Sequence, residues 1–157
     1  MVLSLLPMFH LTTNLGRLKR LGMTETVDDM PLKIVSARTY LLRVPVPALR
    51  VDAQSVLDAW DVLAVEMVTD AGLIGCGYQC GFGPAMAALK HFVEGALPDL
   101  IGRDARRHRQ WWQELYLLRH HTGLNGPAIQ GLSAPEVAAW DLLAKAADAP
   151  PVVSVER

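Results

Sequence analysis

The sequence predicts an α+β fold, a three-stranded antiparallel meander followed by a three-helix bundle. Three observations carry this. Alternating, β-branched segments are confined to residues 33–78, and an Asp-Gly turn joins two of them. From Pro84 onward, apolar residues recur at spacings of three and four. The 157 residues, 51% hydrophobic and 20% charged, suit one domain with a sizeable core. They exclude any architecture of roughly 250 residues, such as a complete (β/α)8 barrel.

The first strand is expected over Lys33–Val44, where Ile34, Ser36 and Arg38 alternate with Val35, Ala37 and Thr39. Pro45 and Pro47, which cannot donate to a ladder, are expected to end it. Residues 46–61 show no clean period and read as a long, mobile loop. Val62–Val68 and Leu73–Tyr78 read as the second and third strands. Thr69-Asp70-Ala71-Gly72 between them supplies the residues a tight hairpin needs. Gly75 and Gly77 point to a close backbone approach or a bulge.

Pro84 opens a helix with Met86, Leu89, Val93 and Leu97 on one face, and Pro98 closes it. Asp104 is placed to cap a second helix, whose stripe is Trp111, Leu115 and Leu118, opposite Arg106, Arg107 and Arg109. Gly123, Asn125, Gly126 and Pro127 interrupt it. The last helical stretch holds Ile129, Leu132, Val137, Trp140, Leu143 and Ala144. Ser133 to Glu136 has capping-box spacing, which favours Pro135 in the first turn of a fresh helix over a kink in an old one.

Several function classes are disfavoured by composition. Fifteen Lys and Arg against 16 Asp and Glu give a net charge of −1, unlike a dedicated nucleic-acid binder. Arg103, Arg106, Arg107 and Arg109 beside Trp111 and Trp112 admit an RNA reading, but helical spacing sends the tryptophans inward. The apolar start Met1–Phe9 is interrupted by Ser4 and Pro7 and falls far short of a membrane span of about 20 residues. No membrane and no nucleic-acid partner are therefore expected. Residues 1–30 read as a poorly ordered extension, with Met23 and Met30 as alternative starts. Cys76 and Cys80, with three residues between them, lack zinc or thioredoxin-like spacing and read as reduced thiols in a cytoplasmic protein. His120-His121 reads as a helix C-terminal pair in preference to a metal site.

Three stretches then resemble one family. Val65-Glu66-Met67-Val68-Thr69-Asp70-Ala71-Gly72-Leu73-Ile74-Gly75-Cys76-Gly77 is similar to a strand, a Thr-Asp-x-Gly turn and a Gly-x-Gly strand. Leu97-Pro98-Asp99-Leu100-Ile101-Gly102-Arg103-Asp104 resembles a helix exit with Pro and Ile-Gly-x-Asp. Ala134-Pro135-Glu136-Val137-Ala138-Ala139-Trp140-Asp141-Leu142-Leu143-Ala144-Lys145 resembles an Ala-Leu-Trp-Asp-Leu-x-Gly-Lys helix. Together, and in this order, they resemble the N-terminal capping domain of the enolase superfamily, on the mandelate racemase and muconate-lactonizing side. Cys76-Gly77-Tyr78-Gln79 departs from the common Trp-Gly-Glu, and Ala144 replaces a common Gly. The resemblance covers residues 31–150 and leaves 151–157 as a divergent tail.

The resemblance implies a parent reaction in which a barrel-borne Lys or His removes a proton α to a carboxylate and Mg²⁺ stabilises the enediolate. Dehydration or racemisation/epimerisation of a sugar acid is the implied outcome. No catalytic residue and no metal ligand is expected in this chain, whose Lys19, Lys33, Lys90 and Lys145 include no Lys-x-Lys pair. The implied role is a lid that closes over a barrel mouth. On that reading Arg50 pairs with a substrate carboxylate, while Tyr78 and Gln79 line the pocket; otherwise Arg50 is a solvated charge and Tyr78 a packing residue. The chain is thus expected to be a truncated or frameshifted, catalytically incomplete product whose partner is a missing barrel or a homologous subunit. The alternative is a free-standing interaction module with a separate partner. The Asp141-Lys145 pair is expected to be a modest salt bridge.

Overall fold

The computed structural model describes residues 31–51, 56–81, 83, 85–119, 121 and 126–148. The N-terminal extension, the divergent tail and His120 lie outside the described residues. Three strands, β1 (Ile34–Val51), β2 (Val56–Thr69) and β3 (Ile74–Gly81), form an antiparallel sheet in the order β1-β2-β3. Three α-helices follow: α1 (Ala85–Ala96), α2 (His108–Leu118) and α3 (Pro127–Ala146). Short 3-10 turns at Leu97–Leu100 and Ala105–Arg107 link α1 to α2. The α+β architecture is the one expected.

The β2–β3 turn forms as its residues dictate. Gly72 takes φ +76°, its N–H donates to the Thr69 carbonyl at 2.9 Å, and Asp70 Oδ1 accepts from the Lys33 amide at 3.0 Å. One face of the sheet, carrying Ile34, Leu63, Val65 and Met67, packs on the helices. The core is completed by Met86, Leu89 and Val93 of α1, Trp111 and Leu115 of α2, and Leu132, Ala138 and Leu142 of α3. Asp104 caps the second 3-10 turn by accepting from the Arg106 amide at 2.9 Å.

Four expectations are corrected. Residues 46–51 and 56–61 are strands extending the β1–β2 hairpin, where a loop was expected. β1 is an edge strand, so the missing N–H groups of Pro45 and Pro47 cost it little. They do disturb the ladder: Pro45 pairs with Ala59 and Arg50 with Leu57, so the register breaks between them. Pro135 lies inside the single helix α3 and starts no new one. Ser133 donates to the Gln130 carbonyl at 2.6 Å in place of capping. Leu118 and Val137, assigned to apolar stripes, are exposed. Alanines 134, 138, 139 and 146 take the buried positions on α3 instead.

Candidate functional site

The sheet and α3 meet along a seam closer than ordinary side-chain packing allows. A Cβ added at Gly77 would lie 2.0 Å from the Ala134 carbonyl oxygen, and one at Gly75 2.3 Å from that of Ala138. The glycines therefore mark a close backbone approach, one of the two readings their spacing left open. β3 is the other edge strand, and its outer edge is satisfied by side chains of α3. Asp141 Oδ2 accepts from the Cys76 amide at 2.8 Å, and Lys145 Nζ donates to the Ile74 carbonyl at 2.8 Å and to Asp141 at 2.6 Å. The pair is more than the modest salt bridge expected: it supplies a donor and an acceptor where a fourth strand would.

This seam fixes the far end of β3, from which the predicted lid residues project. Along β3, Gly75 and Gly77 are buried against α3, while Cys76, Tyr78 and Cys80 are exposed on the opposite face. Tyr78 is 63% exposed. Gln79 turns toward the helices, where its Oε1 accepts from Ser133 Oγ at 3.1 Å and its Nε2 donates to the Cys80 carbonyl. The following turn is tied to β2, because Asp61 Oδ2 accepts from the Gly83 amide at 2.7 Å. Asp61 was not singled out from the sequence, and Ser133 only as a helix-capping residue; the tertiary fold brings both to this site.

Arg50 stands apart from this group. Its backbone pairs with Leu57, whereas Tyr78 pairs with Ala64. Seven residues along β2 correspond to about 23 Å. The Arg50 side chain and residues 52–55 at the hairpin tip lie outside the described residues. Tyr78 and Gln79 are thus neighbours on opposite faces of one strand, and Arg50 belongs to the distant end of the hairpin.

A second polar cluster lies between α2 and α3. His108 is 4% exposed, its ring centroid 4.4 Å from that of Trp140, and its Nδ1 3.8 Å from Glu136 Oε1. Burial lowers the His108 pKa, assisted by the charge of Arg109; burial also raises that of Glu136, against the pull of Arg109. An ion pair would shift both groups the other way, so desolvation dominates at both. Burial likewise raises the Cys76 thiol, with Lys145 opposing. Cys76 and Cys80 are both free and exposed.

Among the described residues no three His, Cys, Asp or Glu side chains come together in a group able to hold a metal ion. The donor set of the described residues does not fit the magnesium that the resemblance implies. No described helix is long and apolar enough to cross a membrane.

Comparison with known proteins gives this geometry a family. Residues 36–154 match the mandelate racemase / muconate lactonizing enzyme N-terminal domain. A 3,6-anhydro-alpha-L-galactonate cycloisomerase of Streptomyces coelicolor is 30% identical over 111 residues, covering 69% of this chain and 31% of that protein. The D-galactonate dehydratase family member ManD of Chromohalobacter salexigens is 37% identical over 89 residues, 56% of this chain and 22% of its own length. Among solved structures, a Streptomyces coelicolor racemase with bound magnesium superposes with a TM-score of 0.63 at 28% identity, covering 69% of this chain and 31% of that one. An L-talarate/galactarate dehydratase from Salmonella typhimurium reaches a TM-score of 0.75 at 21% identity, over 85% of this chain and 35% of the other, a likeness of fold. The chain spans about a third or less of the length of each. With its meander, its Gly-x-Gly seam and its Asp-Lys helix in family order, the chain belongs to the mandelate racemase / muconate lactonizing enzyme family, of which it carries the N-terminal domain.

Proposed function

We propose that residues 31–150 are the capping, substrate-specificity unit of a mandelate racemase-like enzyme, and that the catalytic barrel comes from outside the described residues. The match of residues 36–154 to the family's N-terminal domain is the observation that carries this reading. The parent reaction is Mg-dependent α-proton abstraction from a carboxylate, leading to dehydration or racemisation. A sugar acid is the proposed substrate, in keeping with the names of the relatives, a galactonate cycloisomerase and a galactonate dehydratase family member.

In this reading the exposed Tyr78 phenol contacts substrate at the barrel mouth, and Gln79, tied to Ser133, sets the height of that loop. Arg50 reaches the substrate carboxylate from the other side. The broken register between Pro45 and Arg50 frees the hairpin's outer end from a regular ladder, which suits a segment that must bend over a ligand.

The test grafts residues 31–150 onto the barrel of the Streptomyces coelicolor cycloisomerase in place of its own N-terminal domain and assays a panel of sugar acids with Mg²⁺. The chimera is expected to turn over at least one of them. Arg50→Ala and Tyr78→Ala should each raise KM at least about tenfold, the scale of a lost charge-assisted or buried hydrogen bond. A folded chimera that is inactive on every acid, or whose KM ignores both substitutions, overturns the proposal.

A further inference from the structure

Among the described residues, one edge of the sheet is covered and the other is largely bare. Along β3 the Asp141–Lys145 pair occupies the outer peptide groups. On β1 the cover stops at Ile34, whose N–H donates to the Arg103 carbonyl at 2.9 Å and whose carbonyl accepts from the Gly102 amide at 2.8 Å. These bonds fix the direction of every peptide group that follows. Ile34 stands opposite Thr69, whose N–H and C=O both turn away from β1, toward Leu73 and Gly72. Steps of two along β2 keep that direction, so Met67, Val65 and Leu63 face β3. Their β1 partners Ala37, Thr39 and Leu41 therefore turn N–H and C=O outward, where no described strand pairs with them.

Little guards this edge. Residues 36–44 pair with β2 without a break in register, and residues 36–42 hold no proline and one charge, Arg38. Edge strands that stay single are commonly blunted by proline, lysine or a bulge. Beside the edge lies a groove of about 650 Å³, walled by residues 37–40 of β1 and by Glu94, Leu97, Pro98 and Ile101. Glu94 is already held by Lys90 and by Thr39 Oγ1, which donates to it at 2.8 Å. The wall that Ala37 shares with Leu97, Pro98 and Ile101 is apolar. Ile101 is exposed, and so is Leu41, which shares the helix-facing side of β1 with Ala37 and Thr39.

We propose that a second copy of this chain adds to the β1 edge, antiparallel about a two-fold axis at Thr39, joining two three-stranded sheets into one of six strands. With Thr39 opposite Thr39, Ala37 and Leu41 pair across the axis and exchange peptide hydrogen bonds. Each Leu41 then stands beside Ala37 of the other copy and fills the apolar part of its groove, covering Ile101. On the opposite side of the sheet, Arg38 has no ion pair among the described residues. The two-fold sets it beside Tyr40 of the other copy, whose hydroxyl lies 3.5 Å from Glu66 Oε1. An unpaired cation thus meets an aromatic ring and a carboxylate. Neighbouring registers lose this fit. A two-fold at Arg38 opposes two guanidinium groups, and one at Tyr40 sets Leu41 against Thr39, beside the charge of Glu94. The pairing does not rest on the capping role, since it uses the β1 edge alone.

The test follows the full chain under reducing conditions by sedimentation, from about 10 µM to about 1 mM, with amide hydrogen exchange measured in parallel. An interface this small predicts a dissociation constant on the order of 10–100 µM. The Ala37, Thr39 and Leu41 amides should gain protection as the dimer forms. Leu41→Lys, a change at an exposed side chain, should weaken association at least about tenfold. Directly paired residues of this kind lie about 5.5 Å apart at Cα, within disulfide reach. Thr39→Cys, with Cys76→Ser and Cys80→Ser to remove the native thiols, should therefore form a covalent dimer on mild oxidation. A chain that stays monomeric to about 1 mM overturns the proposal, as does a dimer whose three amides exchange freely. A monomer with those amides protected assigns the edge to a segment of the same chain and overturns it too. So does undiminished association of Leu41→Lys; should that variant not fold, failure of Thr39→Cys to cross-link is decisive in the same direction.

Discussion

Replacing Gly77 with Ala adds one methyl group where two backbone segments already touch. The new Cβ would stand 2.0 Å from the Ala134 carbonyl oxygen, 2.5 Å from the Ala138 nitrogen and 3.0 Å from the Val137 Cβ. Carbon and carbonyl oxygen meet comfortably near 3.3 Å, so strand and helix must separate by about 1.3 Å. None of the obstructing atoms is the far end of a flexible side chain. The same movement would stretch the 2.8 Å bonds that Asp141 and Lys145 make to the β3 edge. Overpacking of this kind costs about 1–3 kcal/mol when side chains yield, and a backbone obstruction sits at the upper end. At roughly 4 °C per kcal/mol, a cost of about 3 kcal/mol lowers the melting temperature by about 12 °C. Thermal unfolding followed by circular dichroism measures this directly. Gly95→Ala is the internal control: that glycine lies in α1 with nothing within 4 Å of a built Cβ, and its substitution should stabilise by about 0.5–1 kcal/mol. A G77A chain that melts within about 2 °C of the wild type refutes the tight-seam argument.

Asp141→Ala orphans the Cys76 amide and uncouples Lys145, for an expected loss of about 1–3 kcal/mol; D141N, which keeps an acceptor oxygen, should lose less, and amide exchange at Cys76 should rank the two. His108 has a folded pKa below its ordinary 6.5, so the unfolded chain binds the extra proton first. Its contribution to stability is therefore present above pH 6.5 and is lost as pH falls through the lowered folded value, and H108Q should flatten urea midpoints measured between about pH 7 and 5.5. Glu136 titrates in the opposite sense: its folded pKa is raised above the ordinary 4.5, so its contribution favours the folded state as pH falls toward 4.5. Arg43→Ala breaks an exposed 3.0 Å pair with Asp58 and should change stability by less than about 0.5 kcal/mol, since water screens both groups.

What the sequence disclosed divides along physical lines. The Asp70–Gly72 turn, the Asp104 cap and the Gly75-x-Gly77 approach were legible because each rests on local backbone chemistry that few residues can satisfy. The apolar stripe of α1 was legible because Met86, Leu89 and Val93 are large. The buried face of α3 was not, because a helix pressed against glycines must present alanines, and alanine carries little periodic signal. The outer hairpin was read as a loop because proline argues against a strand in general, whereas only central strands exclude it. For the candidate site, Tyr78 and Gln79 were proposed from their position alone, and their separation from Arg50 depends on register, which the irregular Pro45–Arg50 stretch hides from any local reading.

The two ends of the sheet differ in how completely their polar groups are satisfied. At the inner end the Ile34 amide donates to the Arg103 carbonyl at 2.9 Å, and the Gly102 amide donates to the Ile34 carbonyl at 2.8 Å. Together with the Asp141–Lys145 clamp, these contacts cross between elements distant in sequence, so shifting any one of them strains several others. At the outer end the ladder breaks after Pro45, the Arg43–Asp58 pair is exposed to solvent, and the Asp61–Gly83 bond ties the β3–α1 turn to the sheet. Local opening follows such differences, since segments with few buried contacts and exposed hydrogen bonds open at the lowest free energy. The proposed capping role calls for this asymmetry: a frame stiff enough to hold its place on a barrel, and an outer rim whose rearrangement does not disturb the frame. The glycine seam and the proline-broken hairpin are the residue choices that produce it.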